Sequence, residues 1–214
     1  MTRLKNYCAF NFLTCSRSIS QAIHGAFYLI LIYGLFNSAT YAGDILIANV
    51  VHNENEYHLN IVMRINTTAE PIWQKLTDYE NLNKISPTVV RSHILEIKNK
   101  TTRVKVTSEG CILFFCRTIN QIQDIQIRES ATQNKRELII NDVEGKSDFK
   151  TGYTLWQIEP ELNATRVTIR ARLNPDFWIP PILGTWLFKN KLLEQTTQLI
   201  TNLETLAQYE LQSK

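Results

Sequence analysis

Apolar positions recur at every second residue over most of the chain, and at every third or fourth residue near its end. From Tyr57 to Ile65, Leu59, Ile61, Met63 and Ile65 alternate with His58, Asn60 and Arg64, which predicts a half-buried strand. Ile45 to His52 precedes it across the polar turn Asn53–Glu56, so the two runs suit a hairpin. Two short helices follow. Thr68 is placed to cap the first, Pro71 sits in its opening turn, and Ile72, Trp73 and Leu76 face inward. The second, Asn81 to Ile85, stops before Pro87. Period two then returns in Ile94–Lys98, Arg103–Ser108, Arg117–Arg128, Lys135–Val143, Phe149–Glu159 and Arg166–Leu173. Glu144–Ser147 and Pro160–Asn163 have turn chemistry, and no helix intervenes, so these strands predict an antiparallel meander.

The stretch Trp178 to Gln208 changes period. Ile182, Trp186, Lys189, Leu193, Thr196, Ile200, Leu203 and Ala207 recur at helical steps, and Pro180 and Pro181 suit a first turn. A single long amphipathic helix must bury its apolar face against the strands.

The first 42 residues differ from the rest. They hold Arg3, Lys5 and Arg17, no acid, an apolar run from Ala26 to Phe36, and small residues up to Ala42. This is the layout of a secretory signal cleaved after Ala42; the alternative is an uncleaved N-terminal membrane anchor. The apolar run is shorter than the ~20 residues that span a bilayer. The chain then divides into a leader, 1–42, and one domain, 43–214, with a periplasmic or secreted location. Of the 214 residues, 23 are basic and 20 acidic, and setting aside the three basic ones of the leader leaves 20 of each. A neutral domain lacks the electrostatic footprint of a nucleic-acid binder.

Cys111 and Cys116 are the two cysteines outside the leader. Five residues of extended strand would separate them by ~16 Å, whereas a disulfide needs Cα atoms within about 7 Å. Either the chain turns back between them and a bridge forms, or the strand continues and both thiols stay free. Gly110 and the flanking strands favour the turn, and an oxidising compartment favours the bridge. The run Ile112-Leu113-Phe114-Phe115 would then be an exposed apolar tip unless it covers something.

Ala69, Ile72, Trp73, Leu76, Asp78, Tyr79, Leu82 and Pro87 form a segment that resembles the opening of the START-like (SRPBCC) superfamily, in particular its polyketide cyclase/dehydrase and coenzyme Q-binding START-domain groups. With the order of elements, the resemblance covers roughly residues 45 to 208. It implies an α+β helix-grip fold: a curved antiparallel sheet of six to eight strands around the long C-terminal helix, with two short helices after the first strands. It also implies an apolar cavity for a lipid, quinone or polyketide-like molecule. Trp73 and Tyr79 read as fold-building core residues, and Asp78 as a brace between the short helices.

No Gly-rich phosphate loop, GxSxG, HExxH or metal-spaced cluster is present. His52, His58 and His93 stand singly, Asp124 interrupts the parity of its strand, and Asp142, Glu144 and Asp148 cluster at a turn that reads as solvated. Neither catalysis nor a cofactor or metal site gains support from this. The expected ligand-binding residues are Phe114, Phe115, Trp156, Trp178, Ile182 and Trp186, with Cys111 and Cys116 bridged at the cavity mouth. The function expected is binding and carriage of a hydrophobic small molecule, with transient membrane contact through Ile112–Phe115. A cyclase-type enzyme and a ligand-free protein-interaction module are the alternatives.

Overall fold

The computed structural model describes residues 43–112, 115–130, 134–179 and 184–212. Residues 1–42, Leu113, Phe114 and Ile182 lie outside them, so expectations that fall there have no structural counterpart; of Ile112 and Phe115 the backbone alone is described. Eight strands appear: β1 (Asp44–Asn53), β2 (Glu56–Ile65), β3 (Val89–Lys98), β4 (Thr101–Ile112), β5 (Phe115–Ser130), β6 (Lys135–Asp142), β7 (Phe149–Glu161) and β8 (Ala164–Pro175). They form one antiparallel sheet in the order β1-β2-β8-β7-β6-β5-β4-β3. Helix α1 (Ala69–Thr77) and a 3-10 turn (Leu82–Lys84) connect β2 to β3, and helix α2 (Gly184–Gln212) closes the chain. This is the expected helix-grip architecture.

The strict alternation in β2 becomes strict burial: Tyr57, Leu59, Ile61, Met63 and Ile65 all face the core. The hairpin turns are tight because Glu54, Asn99 and Asn163 adopt positive φ, where asparagine is tolerated better than most residues. In α1 the apolar face Ile72, Trp73 and Leu76 is buried as expected. Thr68 does occupy the N-cap, but its hydroxyl makes no capping bond, so the cap is one of backbone shape only.

Polar bonds hold the connecting segment onto the sheet. Thr165 Oγ1 donates to the Thr67 carbonyl at 2.7 Å, and the amides of Leu82 and Ile94 donate to Ser92 Oγ and Glu80 Oε1. Asp78 braces the turn by accepting from Asn81 Nδ2 at 2.9 Å. On α2, Ile200, Leu203 and Ala207 are fully buried, and Asn202 Nδ2 donates to the Ile85 carbonyl at 3.0 Å. The second half of the helix is therefore plain core. The first half has a different partner.

Candidate functional site: the cavity under the C-terminal helix

Between α2 and the concave face of the sheet lies a cavity of about 320 Å³. Its floor draws on seven strands, β2 to β8, and includes Val106, Ile125, Leu138, Trp156 and Ile169. Its roof is one stripe of α2, Phe188, Leu192, Gln195 and Leu199, spaced as a 3.6-residue period requires. A second space of about 330 Å³ shares Gly110, Ile119, Phe188, Leu192 and Gln195 with the first, so the two form one elongated site. Cys111, Cys116, Arg117, Phe177, Trp178 and Ile179 line this second part.

The disulfide is present. Cys111 and Cys116 pair directly across the β4–β5 hairpin with Cα atoms 3.9 Å apart, so the chain turns back as the bridge requires. Beside it, the Arg117 guanidinium sits 4.8 Å from the centre of the Phe177 ring and 3.7 Å from Asp148. Phe177 in turn meets Phe149 and Phe188 edge-on, and Phe188 meets Tyr57. An aromatic chain thus runs from the disulfide mouth into the core.

Of the expected ligand residues, Trp156 lies 8 % exposed in the first part and Trp178 lines the second while remaining 72 % exposed. Trp186 lies elsewhere. It is 61 % exposed and lines neither part. Two residues of helix turn it about 200° away from Phe188, and Phe188 is the residue that faces the cavity. The polar Gln195 within the cavity stripe hid the true phase from hydrophobic periodicity. The expected helix start is also displaced: Trp178 and Ile179 are not helical, and the described helix begins at Gly184.

Sequence reasoning missed the polar residues of the site. Tyr79 lines the cavity, is 7 % exposed, and its hydroxyl has no hydrogen-bond partner. Burial pushes its phenol up to about 12, so it stays a neutral donor at any ordinary pH. Gln121 and Gln123 also line the wall, because Ile119, Gln121, Gln123 and Ile125 share the inward parity of β5. Asp124 therefore points outward, and its break in parity is no defect: Arg103 grips it through two bonds of 2.7 and 2.8 Å. Those hydrogen bonds hold the Asp124 carboxyl below the usual range.

Asp142 departs from its expected solvated place. Gln121 Nε2 donates to both its oxygens, at 3.1 and 3.2 Å, and Gln123 bonds it as well. Burial raises its pKa against the opposing pull of these amides. Asp148 is likewise engaged, accepting the Asn120 amide at 2.7 Å. Among the described residues, no group of three or more His, Cys, Asp and Glu side chains is arranged to hold a metal ion.

Fold, mouth and cavity together define a helix-grip domain, and the sequence places it within a family. Residues 65–199 match the model of the family described as polyketide cyclase/dehydrase and lipid transport, and the chain belongs to that family. No curated protein matches it in sequence. Among solved structures it is similar to a STAR-related lipid transfer protein from Xanthomonas axonopodis, with 12 % identity, a TM-score of 0.58, and coverage of 75 % of this chain and 98 % of that one. The Zhui aromatase/cyclase from a Streptomyces species gives 11 %, 0.57, 73 % and 96 % on the same measures. Human StAR-related lipid transfer protein 5 gives 12 %, 0.56, 92 % and 99 %. At such identities the likeness is one of fold, and function has to be argued from the site.

Proposed function

We propose that the protein is an exported carrier of an amphipathic small molecule, whose apolar body lies along Ile125, Leu138, Trp156 and Ile169 and whose polar group meets Tyr79. The observation that carries this reading is the Tyr79 hydroxyl, buried without a partner at the wall of an apolar cavity. A donor left unpaired in the empty protein costs about 1–3 kcal/mol, and a ligand acceptor removes that cost. The volume of either part falls at the lower end of ordinary ligand sites, roughly 300–1,000 Å³. Lipid-like molecules enter past the disulfide, where the apolar run Ile112–Phe115 touches a membrane. Export is supported by the leader and by the Cys111–Cys116 bridge, a bond suited to an oxidising compartment.

The test is organic extraction of the purified domain followed by mass spectrometry, together with titration by a fluorescent fatty acid and a short-chain quinone. A lipid or quinone in the extract, or saturable binding, is expected. An empty extract with no binding of either probe sinks the proposal. An enzymatic reading has one observation in its favour, the carboxyl of Asp142 behind Gln121 and Gln123, whose pKa burial raises. Turnover of a polyketide-like substrate that Asp142→Asn abolishes would favour it over carriage. The open cavity weighs against a ligand-free interaction module.

A further inference from the structure

Glu204, on the core half of α2, is 6 % exposed. A carboxylate this deep needs compensation for the water it has lost. What it has is slight: Oε2 accepts the backbone N–H of Gly43 at 2.8 Å, and Oε1 accepts the side-chain amide of Gln208 at 3.4 Å. Neither of these partners carries a charge.

Gly43 is held from a second side. A Cβ at this position would collide with the Arg64 carbonyl oxygen and crowd the Ile65 Cα, so the chain passes flush against the end of β2 where only glycine fits. One steric and one polar constraint thus fix the Gly43 nitrogen against a buried carboxylate. In the sequence, Gly43 is the residue that follows the small-residue end of the leader at Ala42.

We infer that Glu204 is the docking site for the α-amino group created when the leader is removed between Ala42 and Gly43. A signal peptidase adds water across that amide; Ala42 keeps a carboxylate, and Gly43 leaves with an ammonium. The nitrogen that offered one neutral N–H then offers three and a positive charge from the same place. The buried carboxylate gains its counter-ion as a charge-assisted hydrogen bond. Processing thereby latches the far end of α2 to the first residues of β1, while the other end of the helix roofs the cavity. A cut three residues earlier would leave the ammonium ~10 Å out of reach. The inference rests on the export half of the proposed function and is independent of the ligand.

The test uses the full chain produced in a secreting host. Mass spectrometry of the product reads its first residue, and an amine-reactive ester at neutral pH reads the exposure of its α-amine in the folded protein. Gly43 is expected at the N-terminus. An ion-paired ammonium must lose its proton before it reacts, and a one-unit rise in its pKa slows labelling about ten-fold. Labelling slower by about that factor than in urea is therefore expected, with the protection lost in Glu204→Gln. Should Glu204→Gln not fold, a wild-type chain with Ser-Ala placed ahead of Gly43 gives a second reading, a melting temperature several degrees lower. No cleavage, or a different first residue, overturns the inference together with the export reading. A Gly43 terminus that labels as fast folded as unfolded, or a Ser-Ala extension that leaves melting unchanged, overturns the inference alone.

Discussion

The carboxylate of Asp142 stands in the space that a side chain at position 152 would need. A Cβ on Gly152 would collide with Asp142 Oδ2 and crowd its Cγ, so the glycine on β7 is what admits the carboxyl on β6. Gln121 from β5 then clasps that carboxyl. Gly152→Ala should expel it from this pocket and cost about 1–3 kcal/mol, as overpacked sites do. Urea unfolding of the variant checks this, and unchanged stability would mean the wall yields freely.

The same carboxyl sets a pH dependence. Its folded pKa is raised, chiefly by burial, so the folded state holds the proton more tightly than the unfolded chain. Its contribution to stability is complete below the unfolded value of about 4 and is lost as pH climbs through the raised folded value. Asp142→Asn removes that loss. Unfolding free energies of variant and wild type, measured from pH 3 to pH 8, should therefore move in favour of the variant as pH rises. Parallel curves would contradict the assignment.

Tyr79→Phe separates stability from binding. Deleting a buried hydroxyl that lacks a partner should leave the empty domain as stable as before or about 1 kcal/mol more so. Ligand affinity should fall roughly ten-fold, the loss of one hydrogen bond of about 1.4 kcal/mol. Thermal melting of the empty protein and fluorescent-probe titration provide the two readings.

Trp156 and Trp186 should behave oppositely. Trp156→Ala empties a buried position on the cavity floor and should cost about 3–5 kcal/mol. Trp186→Ala removes an exposed ring and should stay within about 0.5 kcal/mol, with binding intact. Chemical denaturation of both variants decides whether the helix is phased as described.

Gly110 lies where the two parts of the cavity join, and among the described residues a Cβ there would meet the tip of Gln195, 3.7 Å away. Gly110→Leu should therefore fold normally yet divide the site. Probes long enough to need both parts should lose affinity while short ones keep it, as competition titrations would show.

The sheet was legible because β2 and its neighbours turn one apolar face inward, and alternation registers such a face directly. The cavity wall was not legible, because there the rule is inverted. Gln121 and Gln123 point in, while Asp124 on the opposite parity points out to Arg103. Only the register with β4 and β6 distinguishes a glutamine facing a cavity from one facing water. The helix shows the same inversion, since Gln195 and Thr196 roof the site and Trp186 does not. Hydrophobicity locates a core, but a binding cavity is the place where polar groups interrupt it for the ligand. The disulfide was open on spacing alone and is settled by the β4–β5 turn.

The pairing of β2 with β8 carries the long-range contacts of the sheet. Its register runs from Tyr57 with Leu173 to Ile65 with Thr165, so every rung closes a loop of at least 100 residues. All other ladders join strands adjacent in the sequence and form as local hairpins. Local hairpins form without distant chain segments, whereas joining the opening hairpin to the β3–β8 meander must close that long loop, the entropically costly part of this topology. Until α2 packs, none of the described elements roofs the concave face, and its apolar floor is open to chaperones and to aggregation. The surface that lines the cavity thus depends on the last element of the chain for its cover.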